Sequence, residues 1–135
     1  LQVGPASAGA DPGPACYRRN GPATITDCNV VLGRIPVEHF PHVFGPAGDQ
    51  PIDPAASRAQ LAELAAAAHD EAGLEYSVEA LAEAFLQVAC ARMANAIREL
   101  ALHHGEDPAR FGLLSFGGAA CDRRSDVAGT RSRCA

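Results

Sequence analysis

Two groups of residues in this 135-residue chain have the types and spacing to do chemistry. The first is Gly117-Gly118-Ala119, reached through the apolar run Phe111-Gly112-Leu113-Leu114-Ser115-Phe116. A strand that runs into paired glycines lets backbone approach a nucleotide closely, with no Cβ in the way and N–H groups free to donate. The second is Asp27 with Asn29. Residues 23–25 read as a short strand, and Thr26 or Asp27 as the cap of a brief helix through Leu32, closed by Gly33. Such a turn presents polar side chains at the end of a sheet, where α/β proteins place ligands. Capping alone also accounts for Asp27, and the two roles are compatible.

The elements that must position these residues begin with Val3-Gly4-Pro5-Ala6-Ser7-Ala8-Gly9-Ala10-Asp11-Pro12-Gly13-Pro14-Ala15-Cys16-Tyr17. The run is too rich in glycine and proline for regular structure and too apolar for a solvated linker. Packing must impose its conformation; it is either a site-shaping loop or a structural connection at a sheet edge. Pro36, Pro41, Pro46 and Pro51 forbid helix over residues 35–52 and predict an extended segment whose Phe40, Val43 and Phe44 pack on the domain. Asp53 caps a helix that starts at Pro54 and runs to about Ala72 before Gly73, with a thin stripe of Leu61, Leu64, Ala65 and Ala68. Ser77 caps a longer helix ended by Gly105 and Pro108. Its predicted buried face is Val78, Leu81, Phe85, Val88, Ala89, Ala96, Ile97 and Leu100, which recur at three and four.

Composition narrows the partners. All 11 basic residues are arginine, and against 16 acidic residues they leave a net charge of -5, which argues against nucleic acid or an anionic membrane surface. No apolar run is long enough to span a bilayer, so a cytoplasmic protein is expected. The five cysteines are widely spaced, with no C-x-x-C. His39 and His42 have no third ligand nearby in sequence, and no metal site is expected from this chain.

The glycine-proline run through Tyr17, followed by Thr24-Ile25-Thr26-Asp27-Cys28-Asn29-Val30-Val31-Leu32-Gly33-Arg34, resembles the signature region of the hydantoinase A/5-oxoprolinase family. The family pattern reads G-P-x-S-A-G-A-[DH]-P-G-P-A-C-Y and then T-[VI]-T-D-A-N-[LV]-V-L-G-R. Phe40-Pro41-His42-Val43-Phe44-Gly45-Pro46 and Asp49-Gln50-Pro51 extend the match toward the 5-oxoprolinase branch, and similarity continues to Phe116-Gly117-Gly118-Ala119. The chain departs from the pattern at Cys90, where the family usually has Asn, and at Asn95, where it has Arg.

The resemblance implies an α/β fragment of an actin-like, ribonuclease-H-like ATPase domain, helix-rich with a few short strands, covering residues 1–120. It implies a parent enzyme that uses ATP and Mg²⁺ to open a cyclic amide, as in converting 5-oxoproline to glutamate. Gly117, Gly118 and Ala119 would face the adenosine, and Gly9, Asp11, Gly13, Asp27 and Asn29 would line the site. Catalytic residues are not identified. The partners implied are the cyclic amide and either the remainder of the same chain or a hydantoinase B-like subunit. Two alternatives are the ATP-using subunit of an acetone-type carboxylase and a non-catalytic remnant that binds a partner.

The start at Leu1, already inside the motif, points to a piece of a longer protein. Residues 121–135 lose the apolar periodicity, with Val127 their only branched aliphatic side chain, and are expected to be a disordered, aberrant tail. The phosphate-binding turn of such ATPases does not occur in these 135 residues. The isolated chain is therefore expected neither to hydrolyse ATP nor to open 5-oxoproline. ATP-dependent glutamate release by the purified 135-residue chain would contradict this.

Overall fold

The computed structural model describes residues 2–112. Three helices dominate them: α1, Ile25–Val31; α2, Pro54–Ala72; and α3, Val78–His103. Short 3-10 turns occupy Ala15–Tyr17, Val37–His39 and Pro108–Arg110. The chain divides into two compact units, Leu1–Leu86 and Gln87–Ala135, with the boundary inside α3. The run at Gly117 and the expected disordered tail lie outside the described residues.

The expected strand at residues 23–25 does not form. Ile25 is already the first residue of α1, and Thr24, in extended conformation, is its N-cap. Asp27 is the third helical residue rather than the cap, and it reaches back: Thr24 donates its backbone N–H and its Oγ1 hydroxyl to Asp27 Oδ2, both at 2.8 Å. This is the return arm of a capping box, and it favours helix from Ile25 onward. Among the described residues the sole β-type pairing is the antiparallel bridge between Phe44 and Gln50, so the observed architecture there is helical.

The first unit has two apolar clusters. One joins Cys16, Val30, Phe44 and Ile52, flanked by Tyr17, Ile35, Val37 and Phe40. The proline-rich segment after α1 thus packs its aromatic residues inward, Tyr17 lying 4.4 Å from Phe44 between ring centres. Val43 is the exception, at 54% exposed. The other cluster joins Cys28 of α1, Leu61 of α2, and Ala82 and Leu86 of α3. Full burial of each leucine is worth about 1.5–3 kcal/mol.

The helix ends follow the sequence. Asp53 accepts the N–H groups of Ala55 and Ala56 on Oδ1, Pro54 fills the first helical position, and Gly73 closes α2 at φ 63°. Ser77 Oγ accepts the Ala80 N–H at the start of α3. In the second unit α3 ends in paired bonds, Glu106 N–H to Ala101 O and Gly105 N–H to Leu102 O, the Schellman arrangement.

The buried faces are narrower than the periodicity predicts. On α2 only Ser57 and Leu61 are buried, and Leu64 is exposed. On α3 the buried residues are Leu81, Ala82 and Leu86 in the first unit, and Ala89, Cys90 and Ala94 in the second, while Ile97 and Leu100 are exposed. Small side chains, which a hydropathy pattern underweights, make up half of that face.

The tightest backbone approach joins the two ends of the turn that carries Cys16. A Cβ built on Gly21 would lie 1.8 Å from the Gly13 carbonyl oxygen. The contact is backbone on backbone, so neither side can swing away. Gly21→Ala should cost about 3 kcal/mol or more. Gly33→Ala, at φ 66° with open space around it, should cost only about 1–2 kcal/mol. Urea unfolding of the two variants checks the order, and equal midpoints would contradict it.

Candidate functional site

The glycine-proline loop and α1 meet at one side chain. Asp27 is fully buried, on the first turn of α1, and its carboxylate gathers donors from three parts of the chain. Oδ1 accepts the Cys16 N–H at 2.9 Å and the Ser57 hydroxyl at 2.7 Å. Oδ2 accepts the Ala15 N–H at 3.2 Å besides the two groups of Thr24. Both oxygens are thereby occupied. A carboxylate buried with this many charge-assisted bonds avoids the heavy penalty an unpartnered one would meet.

The 3-10 turn Ala15–Tyr17 is held from the other side as well. Asp53 N–H donates to Cys16 O at 2.9 Å, and Gly45 N–H to Tyr17 O at 3.0 Å. Arg18, in the left-handed region at φ 61°, donates Nε to Pro51 O and pairs with Asp53 Oδ2 at 2.9 Å. Asp53 therefore caps α2 with one oxygen and holds the turn with the other. The pair is about a quarter to a third exposed, and such a pair contributes on the order of 1 kcal/mol.

The site residues expected from sequence separate into two settings. Gly9 and Asp11 lie on the exposed tip of the loop, where Asp11 is 85% exposed and forms a long ion pair with Arg19 Nη1 at 3.9 Å. Gly13, Asp27 and Asn29 lie in the interior behind that tip. Gly13 N–H returns to Ala8 O at 3.1 Å and so closes the loop. Gly117, Gly118 and Ala119 fall outside the described residues. Among the described residues no three His, Cys, Asp or Glu side chains group closely enough to hold a metal ion.

Sequence reasoning missed Ser57 and Arg18. A serine four residues past a helix cap carries no distinctive pattern, and Arg18 looks like any surface arginine. Cys16 was visible only as one motif letter. Its thiol is fully buried against Asp27 and Ser57. Burial, reinforced by the charge of Asp27 and a hydrogen bond to it, pushes the thiol from its ordinary 9.0 up to about 12. Burial likewise raises the Tyr17 phenol, with smaller contributions from Cys16 and Asp27.

The hydantoinase/oxoprolinase family profile matches residues 1–125. The chain is 44% identical over 119 residues to 5-oxoprolinase PfmaA of Pestalotiopsis fici, covering 88% of this chain and 9% of that one. It is 41% identical over 125 residues to 5-oxoprolinase 1 of Arabidopsis thaliana, covering 88% and 10%. It is 37% identical over 122 residues to the caprolactamase subunit alpha of Pseudomonas jessenii, covering 89% and 16%. The chain thus spans about a tenth of the 5-oxoprolinases it matches.

The thiolate is the form that alkylates, and a thiol raised from 9.0 to about 12 holds about a thousandfold less of it at neutral pH. Folded chains keep this proton where unfolded chains release it, so Cys16 also makes stability fall as pH rises above 9.0. Iodoacetamide at pH 8.5, read by peptide mapping, should leave Cys16 unmodified in the native chain and label it in urea. Rapid native labelling of Cys16 would contradict the burial.

Proposed function

This chain belongs to the hydantoinase/oxoprolinase family, and on that footing we propose that the protein carrying it is an ATP-dependent cyclic amide hydrolase of the 5-oxoprolinase type. The observation that carries the proposal is the identity of 41–44% with proteins named 5-oxoprolinase, sustained over 88% of the chain. The family match, over residues 1–125, takes in both the anchored loop and the three helices. ATP would phosphorylate the amide oxygen of the ring, ending the amide resonance that protects the C–N bond and letting water open it.

In this reading the domain has an actin-like ATPase fold, and Gly117, Gly118 and Ala119 admit the adenosine. The exposed tip with Gly9 and Asp11 borders the reacting ring, and Gly13, Asp27 and Asn29 hold the tip from behind. The work of this segment is positioning: a loop anchored at both ends loses little further freedom when a substrate meets it. Mg²⁺ would accompany the ATP phosphates. The described residues do not fit a Mg²⁺ site, because both Asp27 oxygens are occupied internally and no cluster of three ligands is present among them. No step is assigned to the ion on this segment.

The partner would be the remainder of the same chain or a hydantoinase B-like subunit. The Pseudomonas jessenii relative, named as a subunit, favours a divided enzyme in at least one branch. A cytoplasmic location is in keeping with a chain in which no described helix is long and apolar enough to cross a membrane.

The test is the intact protein incubated with ATP and 5-oxoproline. Glutamate and ADP should appear together and depend on each other. ATP hydrolysis without glutamate, or turnover of a carbonyl substrate with bicarbonate in its place, would overturn the assignment.

A further inference from the structure

We infer that the apolar row Met93, Ile97 and Leu100 on α3 is the surface on which the rest of a longer polypeptide packs, covered from within the same chain rather than by a second copy or a separate subunit, an inference that rests on the reading of this chain as a segment of an oxoprolinase-type protein. The three residues are spaced by four and three, which at 3.6 residues per turn sets them within about 60° of one another on one side of the helix. Ala89 and Cys90, both buried, begin that side one turn earlier. The row that follows them is 40–63% exposed.

The opposite side of the same helix segment is built for water. Arg98 Nη1 donates to Asn95 Oδ1 there at 2.9 Å, and both side chains are exposed. Single exposed apolar side chains, such as Leu102 on that opposite side, are ordinary on a protein surface, whereas a row of three on one side marks an interface. Helical periodicity calls for Ile97 and Leu100 to be buried, yet the structure leaves both exposed. The chain spans about a tenth of the 5-oxoprolinases it matches, so most of such a protein lies outside this stretch. A cover joined to the row through the backbone meets it at an effective concentration on the order of millimolar, well above that of free copies.

The experiment uses the intact protein and needs no turnover, so it stands apart from the assignment of the reaction. Met93 is the single methionine of these 135 residues and reports the row without substitution. Its oxidation by hydrogen peroxide, read by peptide mapping, should be at least about tenfold slower in the native protein than in urea. The slow rate should persist over about a hundredfold dilution, because a cover within one chain does not follow mass action.

Replacing Leu100 with the photo-crosslinker p-benzoylphenylalanine then identifies the occupant. Irradiation should join position 100 to residues outside this 135-residue stretch, in a product with the mass of one chain. A product of two chains, a product with a different polypeptide, or links confined to these 135 residues would overturn the inference. So would native oxidation of Met93 at the rate seen in urea, or protection lost on dilution; these readings come from the wild-type protein and hold even if the substituted one fails to fold.

Discussion

A single buried carboxylate organises the first unit. Asp27 joins a loop with no regular structure to two helices, and it does so with charge-assisted bonds in an environment that excludes water. Glycine and proline remove the usual means of fixing a backbone, since one is permissive and the other lacks a donor. The loop therefore takes its order from outside itself. Burial, reinforced by the same charge, keeps the Cys16 thiol protonated, which suits a residue whose role is packing.

Around this centre the chain uses short reach and small side chains. Gly13 and Gly21 touch backbone to backbone, and alanines supply much of the buried face of α3. Ion pairs sit at the margins: Arg18 with Asp53 holds the turn to the start of α2, and Arg34 with Glu83 ties the chain after α1 to α3 at 2.8 Å. The layout suits a segment that presents a loop: the apolar clusters lie behind, the tip with Gly9 and Asp11 faces solvent, and the polar centre between them transmits position.

Much of the scaffold was legible in the residues. Asp53 before Pro54, Ser77, Gly73 and Gly105 marked the ends of α2 and α3 because capping is local chemistry that a few adjacent residues determine. The family signature was legible for the same reason. What failed was partly local and partly not. A strand at residues 23–25 overlooks the capping box that Thr24 and Asp27 form three residues apart, whereas Ser57 is unremarkable until α2 packs beside α1. The α3 face was drawn too wide: Leu81 and Ala89 are buried as expected, but Ile97 and Leu100 match a helical period that burial does not follow, and Ala82 and Ala94 are buried as well. A pattern records hydrophobicity; close approach depends on what lies opposite.

The central claim is that the Asp27 carboxylate is bound from within the chain and stays so when the site fills. Scalar couplings across hydrogen bonds, measured by NMR on isotopically labelled intact protein, report it directly. The account predicts couplings from the Cys16 and Thr24 amide nitrogens to the Asp27 carboxyl carbon that persist when ATP, Mg²⁺ and 5-oxoproline are added. Absence of those couplings, or their loss on adding Mg²⁺ and ATP, would show the carboxylate serving a ligand instead and would contradict it.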